Sequence, residues 1–202
     1  MSSDAVVAIT GVVGTDPDET PRNRRQEETF RKVLTAGMEM LRESSYADLT
    51  VRAVAARAKV APATAYTYFS SKNHLIAEVY LDLMKQVPYF TDVNDPMPVR
   101  VEQALRSMAL MVADEPEVAA ACTTALLTGT DPTVRRVRDR IGGEIHRRIR
   151  SAVGPAADSR MVAALEMTFF GALVNAGSGV FTYHQIADRL SYVVGLILGE
   201  DR

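Results

Sequence analysis

The stretch AKVAPATAYTYFSSK, Ala58 to Lys72, sets three aromatic rings within four positions beside a proline. Pro62 suits the first position of a helix, where its missing N–H costs nothing, so PATAYTYF is expected to make about two turns. Advancing about 100° per residue from Pro62 puts Ala65 near 300° and Phe69 near 340°. Ala63, Thr64, Tyr66 and Thr67 fall together on the opposite side, and Tyr68 stands at the boundary. Two turns do not persist alone in water, because nucleation is costly for so few hydrogen bonds, so neighbouring elements must hold this helix through Ala65 and Phe69. The remaining face offers small residues, two hydroxyls and a phenol on rigid support. Ala63 allows close approach, Thr64 and Thr67 have the chemistry to touch base edges, and Tyr66 reads as a phosphate donor. Ordinary packing of both tyrosines within a small helical subdomain is the alternative.

Working outward, Thr50 is a good N-cap for a short helix through VRAVAARA, with KVA as the turn that follows. Upstream, Phe30, Val33, Leu34, Met38 and Leu41 recur at spacings of three and four, which predicts a helix over about 24–43 with one covered stripe. Downstream, helices are expected near 98–113, 116–128, 131–153, 158–178 and 183–199, each opened by Pro, Asp or a polar cluster. No β-type alternation of useful length and no fixed-period repeat occurs, so the fold class is all-α. Residues 1–21 are expected to be a flexible acidic tail.

Residues 1–21 hold four acids and no bases, 22–86 eleven bases against seven acids, and 87–202 twelve against fourteen. A basic segment flanked by acidic ones is what a chain needs if only that segment meets a polyanion. Cys122 is the sole cysteine, which excludes an intrachain disulfide and any metal site of several thiolates within one chain, and fits a reducing cytoplasm. Ala5–Val13 lacks the flanks of a signal peptide, and no segment reaches membrane-spanning length. His74, His146 and His184 are too dispersed for a metal motif, and no G-x-S-x-G or Walker sequence occurs. Neither a catalytic constellation, a metal site nor a cofactor is expected, and Cys122 sits in an apolar pattern typical of a core thiol.

The segment LTVRAVAARAKVAPATAYTYFSSKNHL, Leu49 to Leu75, resembles the helix-turn-helix and following helix start of the TetR family of transcriptional regulators. The resemblance implies a three-helix DNA-binding domain over 22–84, with the helix-turn-helix at about 49–69. A long helix would join it to an effector-binding and dimerisation domain over 85–202. It implies that Thr50, Arg52, Pro62, Ala63, Thr64, Tyr66, Thr67 and Tyr68 meet double-stranded DNA, and that Lys72 contacts a phosphate. Arg24, with Arg22 and Arg25, reads either as a DNA-contacting arm or as a solvated helix start. Three positions depart from the pattern: Lys59 where glycine is usual, Ala61 where a capping serine is common, and Ser45 before Tyr46. A lysine with positive φ at 59 would cost about 1 to 2 kcal/mol relative to glycine.

In the C-terminal part, the helix near 131–153 carries seven arginines between 135 and 150 against Asp139 and Glu144. A solvated charged face is the expected account, with a second polyanion or anionic-ligand site as the alternative. YVVGLIL in the last helix is apolar nearly all round and wants a partner. Phe169, Gly171, Ala172, Leu173, Ala176, Tyr192, Val193, Val194, Leu196 and Ile197 are therefore expected at a homodimer interface, an internal core being the alternative. Tyr80, Met84, Leu105, Met108, Met111, Leu126, Met167 and Phe170 lie on apolar stripes and are expected to line a cavity for a small apolar effector, against the alternative of a solid core. The sequence thus reads as a ligand-responsive regulator, most simply a repressor on a palindromic operator, with no membrane partner. A small-molecule carrier or enzyme with a vestigial helix-turn-helix is the rival reading.

Overall fold

A computed structural model describes residues 23–89, 94–155 and 158–199; the acidic tail 1–21 and Arg22 lie outside the described residues. Among these, all regular structure is helical: α1 Arg24–Glu43, α2 Val51–Arg57, α3 Pro62–Tyr68, α4 Lys72–Gln86, α5 Met97–Leu110, α6 Pro116–Thr128, α7 Pro132–Val153, α8 Ser159–Gly177 and α9 Tyr183–Leu198. Local chemistry sets the boundaries. Asn23 starts α1 with a reciprocal capping box to Gln26, and Thr182 starts α9 in the same way with Gln185. Asp131 accepts from the Val134 N–H at the start of α7, and Gly199 ends α9 in the left-handed region at φ 73°. Helix α5 stops at Leu110, short of the expected 113. Residues 111–114 form turns instead, with Ala113 N–H on the Leu110 carbonyl at 3.0 Å, before Pro116 opens α6.

The expected stripe of α1 buries Phe30, Val33, Leu34 and Leu41 against α2, α3, α4 and α6. Helix α4 is the shared beam, packing on α1, α6 and α7, while α5 pairs with α7 and α9, and α8 with α7 and α9. Seven residues of α4 from Leu75 to Leu81 are buried in succession, as an all-round covered helix requires. A single core therefore runs from Phe30 through α4 to Val194.

Helix α7 corrects the solvated-face expectation in part. Arg135, Arg136 and Arg150 are exposed, but Arg148 is buried, donating to Glu144 at 3.0 Å and to the carbonyls of Pro88 and Lys85. Arg140 holds the buried Glu78 of α4 at 2.6 Å. Arg138 donates to the carbonyls of Leu126 and Gly129 at 3.1 Å each, closing the end of α6. These arginines join elements, because a guanidinium offers five donors in a fixed fork and suits bridging of carbonyls and carboxylates.

Candidate nucleic-acid interface and apolar pocket

The N-terminal helical unit is built from α1, α2 and α3. Thr50 Oγ1 accepts from the Ala53 N–H at 3.1 Å, capping α2, and Leu49, Val51, Val54 and Ala55 are buried beneath it. The turn closes through Val60 N–H to the Ala55 carbonyl at 2.9 Å, with Lys59 at φ 55°. Lys59 thus occupies the left-handed conformation that glycine would take at lower cost. Ala61 makes no side-chain cap bond at the start of α3, and Pro62 follows at its first turn. Ala65 and Phe69 have no exposed surface; the Phe69 ring stacks on Phe30 at 5.0 Å and 21°.

That anchoring turns Pro62, Ala63, Thr64, Tyr66 and Thr67 outward, with Tyr66 50 % exposed. Tyr68 is half-buried, its ring edge-on to Phe30 at 6.3 Å, so it belongs partly to the packing. The Thr67 hydroxyl donates to the Thr64 carbonyl at 2.5 Å, which leaves lone pairs rather than a proton for a ligand. Thr50 is the converse: its oxygen accepts the cap bond and its proton stays free. Arg52 and Arg24 are exposed, the latter paired with Glu28 at 3.3 Å. Lys72 turns inward, with Nζ 2.8 Å from the Tyr46 carbonyl and 4.1 Å above the Tyr46 ring. An outward phosphate contact requires this side chain to leave that seat or to use its remaining donors.

Farther along α4, Tyr80 borders an open-sided apolar pocket of about 210 Å³, whose outer rim is formed by the exposed Leu127, Phe170 and Val174. Its other walls are Thr123, Leu126 and Leu127 of α6, Arg138, Ile141 and Ile145 of α7, Phe170, Leu173 and Val174 of α8, and Tyr183 of α9. Gly177 brings α8 onto α6 here, since a Cβ at that position would lie 2.5 Å from the Thr123 hydroxyl oxygen. Of the eight residues expected at a cavity, Tyr80, Leu126 and Phe170 line it. Met84, Leu105 and Met108 are buried, Met111 is half-buried and Met167 is 72 % exposed, and none of these five borders this pocket. Periodicity shows that a stripe is covered but not by what: Met84 lies one turn beyond Tyr80 on α4, and α5 packs on α7 and α9. Arg138 was legible, standing on the apolar stripe Val134, Arg138, Ile141, Ile145. Tyr183 and Thr123 had no such signal. Cys122 is buried behind this wall, and burial pushes its thiol up to about 12.

The expected interface residues divide. Phe169, Ala176 and Val194 are buried within the subunit; Ala172, Leu173, Val193 and Ile197 are half-buried; and Gly171, Tyr192 and Leu196 are exposed. The first three therefore belong to the internal core, the alternative weighed for them. Met167, Phe170 and Val174 of α8 and Tyr192 and Leu196 of α9 are the exposed large apolar side chains of these two helices. Among the described residues no cluster of His, Cys, Asp or Glu is placed to hold a metal, and no helix is long and apolar enough to cross a membrane.

A short helical pair presenting a rigid polar face, backed by a larger helical body, defines a helix-turn-helix regulator. The sequence model for bacterial regulatory proteins of the tetR family matches residues 33–79. HTH-type transcriptional regulators of Mycobacterium bovis and Mycobacterium tuberculosis are 72 % identical over 201 residues, covering 98 % of this chain and 94 % of theirs. The chain belongs to the TetR family of transcriptional regulators. Its fold matches a TetR transcriptional regulator from Rhodococcus sp. RHA1, with a TM-score of 0.70 at 22 % identity over 89 % of this chain and all of that one. It also matches Thermus thermophilus FadR in complex with lauroyl-CoA, with a TM-score of 0.62 at 16 % identity over 82 % and 92 % of the two chains.

Proposed function

We propose that this regulator is a cytoplasmic, non-catalytic repressor that binds an inverted-repeat operator as a homodimer and lets go when a small apolar effector fills the cavity. Residues 22–84 form the reading head and 85–202 the effector and dimerisation part. On the head, the Thr64 side chain reads base edges, Ala63 and Pro62 permit close approach, and Thr67 accepts from the groove. Tyr66, Thr50, Arg52 and Arg24 bind phosphates, Tyr68 lies at the margin, and Lys72 joins on docking.

The observation that carries this reading is the double use of α4. Ser71 caps its start immediately behind α3, accepting from the His74 N–H at 3.0 Å, and Tyr80, over two turns on, borders the cavity. A second tie runs beside it: Ser70 meets Thr133 at 2.9 Å and Ser71 donates to Asp131 at 3.3 Å, so the α6–α7 corner is bonded to the end of the reading helix. Any ligand that moves α4 or α7 must move the head. The structural relative solved with lauroyl-CoA carries a ligand on the same fold. An effector changes DNA affinity only by its differential affinity for the two arrangements, and a coupling of about 1 to 3 kcal/mol corresponds to roughly 5- to 150-fold.

Selection of the best-bound duplex from a random DNA pool tests the reading. An inverted repeat is expected, and a lipophilic compound that stabilises the protein should release it. A chain that enriches no sequence has no operator function.

A further inference from the structure

Tyr80 sets a phenol hydroxyl on the wall of this pocket. It is 6 % exposed and borders the void, and among the described residues its hydroxyl makes no hydrogen bond. Burial pushes its ionisation well above the ordinary phenol range, so it is a neutral donor at any physiological pH. Of the other polar groups there, Tyr183 and Thr123 stand near one another, and each terminal nitrogen of Arg138 donates to a carbonyl at the end of α6, of Leu126 and of Gly129. The hydroxyl keeps access to the void, where a ligand acceptor can take its proton.

Size narrows the class further. A cavity of about 150 Å³ lined by aliphatic side chains and Phe holds benzene, so about 210 Å³ has room for a ring with a short side chain. A wider cleft of about 430 Å³ lies on the far side of Tyr183, bordered by Pro116, Gly179 and Phe181. Tyr183 borders both.

Resting on the effector reading above, we infer that this cavity takes a compact, uncharged, mainly apolar molecule with one hydrogen-bond acceptor, seated on the Tyr80 hydroxyl, and not a long acyl chain. The charged side chain on this wall, Arg138, is tied to the carbonyls of Leu126 and Gly129, and a carboxylate would have to share it with them, whereas an uncharged acceptor needs only the Tyr80 hydroxyl.

The test uses the full chain without DNA and titration calorimetry with butyrophenone, its hydrocarbon counterpart butylbenzene, and 4-phenylbutyrate. Butyrophenone should bind about three- to tenfold more tightly than butylbenzene. Tyr80→Phe, which keeps the ring and the fold, should remove that preference while leaving butylbenzene unchanged. Tyr183→Phe should keep the preference. In a series of phenyl ketones, affinity should rise about fourfold per added methylene and then stop when the cavity is full.

Several results would overturn the assignment: equal binding of ketone and hydrocarbon, a preference that survives Tyr80→Phe, or tighter binding of 4-phenylbutyrate. So would affinity that keeps rising to laurophenone, because the outer cleft would then be part of the site. The expected binding pattern without release of the selected DNA supports the cavity chemistry and overturns only the coupling to the reading head.

Discussion

Tyr66 stands half exposed on a helix whose opposite side is locked by Phe69 against Phe30, so its hydroxyl can be removed without disturbing the fold. Tyr66→Phe should weaken binding to every duplex alike by about 1 to 2 kcal/mol, the signature of a lost phosphate bond, read by gel shift on specific and random DNA. Thr64→Ala should instead change the preferred sequence in pool selection, and an unchanged profile would remove Thr64 from base reading. Lys59 offers a test of backbone strain. With φ at 55°, Lys59→Gly should raise stability by roughly 0.5 to 1 kcal/mol in urea unfolding, the relief of strain exceeding the added freedom of the unfolded chain.

Between elements, the α4–α7 seam turns on one buried carboxylate. Burial by itself raises the pKa of Glu78, but His74 at 3.7 Å and Arg140 at 2.6 Å outweigh it and hold the group below the usual carboxylate range. A depressed folded pKa contributes stability that is present above the unfolded value, near 4.3, and is lost as pH falls through the folded value. Glu78→Gln should therefore flatten the acid limb of the stability–pH curve. It should also cost about 1 to 3 kcal/mol at pH 7, because Arg140 loses its buried partner. Urea midpoints measured from pH 3 to pH 7 check both parts. Equal acid sensitivity in wild type and variant would place the effect elsewhere.

For the whole molecule, the exposed side chains of α8 and α9 separate association from folding. Leu196 is 80 % exposed and Val194 2 %, two residues apart on one helix. Leu196→Glu should lower the dimer content in sedimentation while the subunit keeps its helicity, whereas Val194→Asp should unfold the subunit by burying an unpaired charge. A Leu196→Glu chain that still sediments as a dimer would move the interface off this face. The proposed dimer should also bind DNA with a steep salt dependence, log K falling by about 0.9 per neutralised phosphate for each unit of log salt.

All-α class, helix positions and the helix-turn-helix were legible along the chain, because each rests on local chemistry: caps at Asn23, Thr50 and Asp131, prolines at first turns, and apolar spacing such as Phe30, Val33, Leu34. The outward face of α3 followed too, since two turns with only Ala65 and Phe69 to bury leave one orientation open. The cavity wall did not follow. Apolar periodicity assigns a residue to a covered stripe, yet whether Met84 meets a neighbour or Tyr80 a void depends on how α6, α7 and α8 approach α4. The same holds for Lys72 folded onto Tyr46, for Arg140 and Arg148 drawn into the body, and for Val194 turned inward beside Leu196. In each case the side chain's partner comes from a segment remote in sequence, and only the packed arrangement decides which one it meets.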